Sequence, residues 1–505
     1  MALSCRLIFS IRVIGAGAFG TLGDYCAHPP AAQYSFMPAQ GPLPSDALGE
    51  RSHLQLTGLH VIFRHGTRTL LKDQTCWDKP SKSLSQPCGP HLGISGVWQK
   101  EVHGAPLERQ YLDLWPERSE GIDGITAGKH TCAPGQLFDY AAGQYHALAE
   151  AIKKTYGGHV KFTPKNTRLY ATETDRATNS LYILQHYLFD EPEDIWQSRQ
   201  VFTRQLAGDP WNLGGCPNAH AALTMLAHRP VAADPRFKDF AERWRKAFGT
   251  EFFPNFKDCL ITADCGGNGA NYMPMPEAFL LNRSFFEEAV SVSGQIYGAA
   301  WSNAQKENRV LTAPVLLELK RLTDSFLQPG SDAPRVNLFG AHDTFLASFL
   351  VALGVWDGVW PGYSHAIIFE IYEATDKRGN VRPLFRLLRQ GKPLMLPACG
   401  DSLPDGLCDL SHLVSQEARH LEVDVDGWNE YCYGGASVLA EGMESGYGSH
   451  QFSTSVFPSS SWSQSLLIVG ISILMALSFT AGACCQRRAL SARRVATIGL
   501  LNGDA

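Results

Sequence analysis

The chain has 505 residues, 44% of them hydrophobic and 18% charged. That is a folded protein with a large core, about two to four domains by length, and not a disordered one. Its formal net charge of −5, with no basic cluster inside the folded region, gives no support to nucleic acid as a partner.

Residues 1–23 read as a signal peptide: Arg6 and Arg12 precede the short apolar run Val13–Gly20. Residues 24–51 are rich in Pro, Ala and Gly and look like a loose leader. The folded domain is expected over 52–433. It opens on His60-Val61-Ile62-Phe63-Arg64-His65-Gly66-Thr67-Arg68, an apolar strand that ends at a histidine flanked by two arginines. Gln136 to Tyr156 reads as an amphipathic helix, with Leu137, Ala141, Leu148 and Ile152 on one face and Gly157-Gly158 at its end. Arg168–Thr172 is a short strand, followed by a helix through Ala177, Leu181, Leu184 and Tyr187. About residues 190–310 show mixed, mostly helical patterns and are expected to form an inserted cap. Val336–Gly340 is a strand and Thr344–Leu353 a helix. Ala366–Tyr372 is a strand that turns at Arg378-Gly379-Asn380 into Leu384–Leu388. This alternation predicts an α/β fold: a three-layer sandwich around a central mixed, mostly parallel sheet, with the helical cap as a subdomain.

Beyond Cys432 the composition shifts. Residues 434–464 form a Ser/Gly-rich stalk. Leu466 to Cys485 is an uncharged run of 20 residues, followed by Arg487, Arg488, Arg493 and Arg494. It reads as one transmembrane helix (465–485) with a cytosolic tail (486–505), which puts the domain on the lumenal or extracellular side. Ten cysteines lie between the two terminal segments, an even number that fits a disulfide-bonded ectodomain. Cys399 with Cys408, and Cys259 with Cys265, are close enough to close local loops. With no Cys-x-x-Cys pair, zinc is not expected, and no cofactor is expected. Asn282-Arg283-Ser284 is a glycosylation sequon. A homodimer stays open.

The chemistry converges on three strand ends, where α/β sheets hold ligands. His65 supplies a nucleophilic nitrogen near neutral pH. Arg64 and Arg68 present planar forks that match phosphoryl oxygens. Arg176 opens the helix after the second strand, where backbone N–H groups favour an anion. His342 and Asp343 follow the third: His342 as a donor to a phosphoryl oxygen, Asp343 as the acid on the departing oxygen. These are the parts of a phosphate monoester hydrolase working through a phosphohistidine. Four nearby cations lower a carboxyl pKa, so the best activity is expected at acidic pH. Elsewhere the plain reading stands. His60 is a packed histidine, Trp356, Trp360, Phe369 and Tyr372 are core, Thr67 shapes its loop or meets phosphate, and Glu370 orients a pocket arginine or lies at an exposed edge.

Arg64-His65-Gly66-Thr67-Arg68, with His342-Asp343-Thr344 far downstream, resembles the histidine acid phosphatases. Gly135-Gln136-Leu137 at a helix start, the stretch Leu353–Pro361, Phe369–Tyr372 and Gly391-Lys392-Pro393-Leu394 extend the resemblance over roughly 55–432. It implies His65 as the phosphorylated nucleophile, Arg64, Arg68, Arg176 and His342 around the phosphate, Asp343 as proton donor, and no metal. The family usually has proline where this chain has Leu70, which does not lock φ as proline would. Within the family, membrane-tethered and lysosomal acid phosphatases are one group, and the phosphatases of phosphorylated xylose, to which Gly215-Cys216-Pro217, Cys399, Cys408 and Asn429–Cys432 are similar, are another. Phytase-like or phosphomutase activity, and a non-enzymatic surface ectodomain, are the alternative functions.

Overall fold

The computed structural model describes residues 42–48, 52–71, 76–77, 97–100, 108–112, 135–138, 141–189, 200–204, 209–227, 231–265, 276–400, 403–418 and 431–432. All fall within one unit, Met1–Glu441. The strands in chain order are β1 (Ser52–Arg64), β2 (Val97–Lys100), β3 (Glu108–Leu112), β4 (Thr167–Ala171), β5 (Gln200–Arg204), β6 (Val336–Ala341), β7 (Ala366–Asp376), β8 (Val381–Arg389), β9 (Lys392–Pro393) and β10 (Leu407–Asp409). The helices are α1 (Ala141–Tyr156), α2 (Asp175–Leu188), α3 (Pro217–Ala227), α4 (Lys238–Phe248), α5 (Phe256–Cys265), α6 (Glu277–Leu281), α7 (Arg283–Asn303), α8 (Gln305–Leu327), α9 (Asp343–Ala352) and α10 (Leu410–Ala418).

One sheet carries all ten strands in the order β10-β8-β7-β1-β6-β4-β5-β3-β2, with β9 beside β8. Its centre, β1-β6-β4-β5, is parallel, and antiparallel pairs extend both sides. From Leu56 onward β1 is buried throughout, as a central strand with both faces covered must be. Its register against β7 shifts between Leu56 and Gly58. That bulge changes the alternation, so Leu54 and Leu56 before it and Leu59, Val61 and Phe63 after it all enter the same core. Gly58 is needed there, because a Cβ would lie 2.5 Å from the Phe326 ring and 2.9 Å from the Arg335 carbonyl.

Helices α1 and α2 cover one face, and α8, α9 and α10 the other, giving the expected three layers. The cap helices α3 to α7 form a third core centred on Trp244, ringed by Phe240, Phe248, Phe252 and Phe256. The 190–310 segment is not wholly cap, since β5 joins the main sheet. The helix expected from Gln136 is described only from Ala141. Before it, Leu137 bridges Arg68, so the backbone of 136–138 is extended.

Cys399–Cys408 closes the local loop expected. Cys259 does not pair with Cys265. It joins Cys76, which sits 183 residues away and ties α5 to the segment following the first strand. Cys216 joins Cys432. Residues 42–48 are not loose: Leu43, Ala47 and Leu48 pack on the α1/α2 core, and the Leu43 N–H donates to the Tyr372 hydroxyl at 3.1 Å. Glu370 is neither exposed nor near a pocket arginine. It pairs with Arg386 at 2.6 Å, both fully buried, and accepts from the hydroxyls of Tyr156 and Tyr372 at 2.8 and 2.7 Å. Among the described residues no helix is long and apolar enough to cross a membrane. The N-terminal signal, the stalk, the 466–485 run and the tail lie outside the described residues.

Candidate active site

The three parallel strands β1, β6 and β4 end level with one another. Phe63 is in register with Gly340, and Gly340 with Ala171. The residues that follow, His65, Thr172 and His342, therefore emerge side by side at the carboxyl end of the sheet. The His65 and His342 rings are 5.4 Å apart. Thr172 meets His342 Nε2 at 2.8 Å, and an Arg176 N–H lies 3.5 Å from His342 Nδ1. A guanidinium can only donate, so Nδ1 is the bare nitrogen and Nε2–H donates to Thr172.

His65 is oriented in the same way. Its Nδ1 is 2.9 Å from the Gly66 carbonyl. An oxygen with no proton can only accept, so Nδ1 carries the hydrogen and Nε2 keeps its lone pair. The backbone around it is held from several sides. His65 N–H donates to Ala341, Gly66 N–H to Ser180 at 2.9 Å, and Tyr145 Oη–H to the Arg64 carbonyl at 2.7 Å. Gln144 takes the Thr67 N–H at 3.0 Å and donates to its hydroxyl at 2.6 Å, so Thr67 shapes the loop. Gly66 must be glycine, because a Cβ would lie 2.8 Å from Ala141 and 3.0 Å from Tyr145. Leu70, where proline was expected, is buried in the cap core. Its loop is laced to 135–138 by backbone bonds Thr69–Gln136 and Gly135–Leu70, so the path is fixed without a proline ring.

The cations surround this nitrogen. Arg64 is fully buried, donates to the Pro361 carbonyl at 2.8 Å and stacks on Tyr363 at 4.0 Å. It reaches Asp343 Oδ2 at 2.9 Å. Arg68 donates to the Thr69 carbonyl. Arg176 is the second residue of α2, partly exposed at the mouth. Asp343 is the first residue of α9 and receives the Thr344 N–H at 2.8 Å on Oδ1 and the Trp360 indole N–H at 2.9 Å on Oδ2. All six predicted residues thus share one site. His60 does not belong to it; it is buried under α8 and bonded to Thr323 at 2.8 Å.

Charge and burial set the protonation states. Burial, then Arg176, Arg64 and Arg68, hold the His65 imidazole well below its ordinary pKa. His342 is lowered likewise, by burial and then Arg176, with Asp343 opposing. Burial, with Arg68 next to it, brings Arg176 down to about 10, so it stays charged. Burial favours the neutral acid at Asp343, but Arg64, Lys257 and the Trp360 N–H outweigh it and hold the carboxyl well below the usual range.

Three contributors were not foreseen. Trp360 is a core residue as expected, but its N–H also reaches Asp343. Lys257 and Asp258, at the start of α5, turn inward from the cap. The Lys257 ammonium lies 4.0 Å over the Trp360 ring, and Asp258 is 3.6 Å from Arg68. A Lys-Asp pair at a helix start reads as a solvated face, and no sequence signal sets this one apart. Among the described residues no cluster of His, Cys, Asp and Glu is placed to hold a metal ion.

No protein-family model matches the chain. Curated relatives do. A probable acid phosphatase of Schizosaccharomyces pombe is 23% identical, over 65% of this chain and 74% of the relative. Mouse prostatic acid phosphatase is 26% identical, over 60% and 84%. Human lysophosphatidic acid phosphatase type 6 is 22% identical, over 80% and 91%. Among solved structures, the fold is similar to the multiple inositol polyphosphate phosphatase of Bifidobacterium longum, with TM-score 0.50 and 12% identity, over 80% of this chain and all of that one.

Proposed function

The chain belongs to the histidine acid phosphatase family and is a phosphatase, and from that premise we propose that it hydrolyses phosphate monoesters at acidic pH through a phosphohistidine on His65. The observation that carries this reading is the 2.9 Å contact from His65 Nδ1 to the Gly66 carbonyl, which leaves Nε2 as an unprotonated nucleophile among three arginines. The phosphoryl group sits over the strand ends, its equatorial oxygens met by Arg64, Arg68 and Arg176; His342 joins them once Arg176 turns onto the phosphate, its hydrogen then on Nδ1 and the Thr172 hydroxyl donating to Nε2. Nε2 attacks phosphorus, a P–N bond forms, and the ester P–O bond breaks. The departing oxygen takes its proton from the Asp343 carboxyl. Asp343, now a carboxylate, then takes a proton from water. The water oxygen bonds to phosphorus as P–N breaks, freeing His65 and inorganic phosphate.

The acidic optimum follows from the two pKa directions. The lowered His65 stays neutral in acid, where an ordinary imidazole would be protonated and inert. Asp343, lowered in the empty site, needs a proton. A phosphate monoester loses its second proton with a pKa of about 6, so in acid the substrate arrives as a monoanion that carries one. Its negative charge also offsets the arginines and raises the Asp343 pKa.

The disulfides Cys76–Cys259, Cys216–Cys432 and Cys399–Cys408 support a lumenal or extracellular domain. The 466–485 run would anchor it by a single span. The test of the mechanism is a trap. His65→Ala should release no phosphate from an aryl phosphate. Asp343→Asn should retain radiolabel from a labelled aryl ester on the protein, in a linkage labile to acid and stable to base. Full activity in His65→Ala, or label in that variant equal to Asp343→Asn, refutes the phosphohistidine.

A further inference from the structure

The mechanism leaves Lys257 and Asp258 unused, although they are built into the site. Lys257 is 3% exposed, a burial that an ammonium tolerates only when paired. Its Nζ is 3.4 Å from Asp258, over Trp360 at 4.0 Å and Tyr297 at 5.0 Å. The same Trp360 donates to Asp343. Asp258 in turn faces Arg68 at 3.6 Å, longer than a direct hydrogen bond, and its side chain keeps 16% exposure. Cys259, the next residue, is locked to Cys76, so this turn of α5 is tied to the segment that follows the β1 loop. The floor, with His65 and His342, holds the phosphoryl group. Residues that descend from the cap therefore border the path of the leaving group.

We propose that Lys257 and Asp258 form a charge filter for the leaving group: Lys257 anchors Asp258, and the Asp258 carboxylate admits monophosphates with neutral or cationic alcohols and rejects those with a second phosphate beside the scissile ester. This rests on the phosphatase reading of the same site and names its substrate class. Lys257 and Arg68 flank this carboxylate, but each keeps only 3% side-chain exposure against 16% for Asp258, so a neighbouring phosphate meets the anion first, and at a few ångströms in a low-dielectric wall that repulsion is large. Protonation does not remove the barrier in the working range. Burial and the Asp343 carboxylate favour the neutral form, but Lys257, Arg68 and Arg64 hold the Asp258 carboxyl below its ordinary pKa. A neutral hydroxyl at the same place would instead donate to the carboxylate.

The experiment uses the full-length chain and two competitors that share one ring, myo-inositol monophosphate and myo-inositol hexakisphosphate. Each is measured as an inhibitor of aryl phosphate hydrolysis, so the result does not depend on its own turnover. The wild type should bind the monophosphate at least about 10-fold more tightly than the hexakisphosphate. Asp258→Asn, close to isosteric, should narrow that ratio about 10-fold, and Asp258→Glu should keep it. A wild type that binds both equally, prefers the hexakisphosphate, or fails to bind the monophosphate overturns the filter without any variant. So does an Asp258→Asn protein in which both constants move by the same factor, the mark of a mere counter-ion to Arg68. A wild type that releases no phosphate from the aryl ester sinks the hydrolase reading instead.

Discussion

Arg176→Gln separates the two effects assigned to that guanidinium. As a donor to phosphate it acts mainly in the transition state, where losing one preorganised donor costs about 3–4 kcal/mol, or 10²- to 10³-fold in kcat/KM. As a charge it is the first of the cations that depress His65, second only to burial. It lies 3.5 Å from His342, whose ring is 5.4 Å from that of His65. A unit charge roughly 7 Å from Nε2 at an effective dielectric of ~20 is worth about 2 kcal/mol, one to two pH units. The variant should therefore lose more activity at pH 4 than at pH 6. Its acid limb in kcat/KM should move upward by that amount, because the imidazole becomes easier to protonate. The assay is kcat/KM for one aryl phosphate across pH 3.5–7.5 at fixed ionic strength. Taking the ratio of variant to wild type at each pH cancels the ionisation of the substrate. A ratio that is flat with pH would show that Arg176 binds without tuning His65. A ratio near one throughout would remove it from the site.

Trp360→Phe deletes the N–H that meets Asp343 Oδ2 at 2.9 Å. That bond favours the carboxylate, so its loss should raise the Asp343 pKa and carry the alkaline limb of kcat upward by up to about one unit; an unmoved limb would show Asp343 is not the acid. Glu370→Gln leaves Arg386 buried beside a neutral amide, and should destabilise the fold by about 3–5 kcal/mol in urea unfolding. A loss under about 1 kcal/mol would mean the network around Tyr156 and Tyr372 is not a closed one. His60 is lowered to about 3 by burial, against Glu318. Between that value and the unfolded 6.5 the unfolded chain binds the extra proton, so stability falls as pH drops, by about 1.4 kcal/mol per unit from this residue. His60→Gln should flatten the pH dependence of unfolding free energy below pH 6 by about one proton, and an unchanged slope would exclude His60 as its source.

The floor of the site was legible because each of its residues follows an apolar run that can only be a central strand. His65 after β1, and His342 and Asp343 after β6, are fixed by strand ends. Arg176 is placed by the helix that starts one residue before it. What escaped was the part supplied across long sequence separations. The Gly135-Gln136-Leu137 segment has helix-forming neighbours. Backbone groups of Gly135 and Gln136, however, are taken by Leu70 and Thr69 of the β1 loop, and that of the following Phe138 by Thr67, and tertiary pairing overrides propensity. Cys259 had a near partner in Cys265 and a remote one in Cys76, and spacing favours the near one only when the intervening turn can close. Here both cysteines lie on α5, whose rigid axis holds them apart. Glu370 sits in an apolar strand, and nothing local shows that Arg386 will be its neighbour across the hairpin.

The site also explains why one set of cations serves two groups with opposed needs. Burial with Arg176, Arg64 and Arg68 keeps His65 neutral, which a nucleophile in acid requires, while Arg64 and Arg68, with Lys257, strip the proton from Asp343, which an acid catalyst cannot allow. No fixed arrangement of charge in an empty pocket satisfies both. The conflict is resolved in time. Before the ester binds, the imidazole must resist protons, and burial together with the surrounding arginines makes it do so. Once the ester is bound, its own charge cancels much of theirs, and the Asp343 pKa rises at the moment a proton is needed. His65 feels the same rise, but its lone pair is by then directed at phosphorus and unavailable to a proton. The Asp258 carboxylate fits this scheme as a fixed anion that weakens the arginines slightly for every substrate and repels only those that bring a second charge.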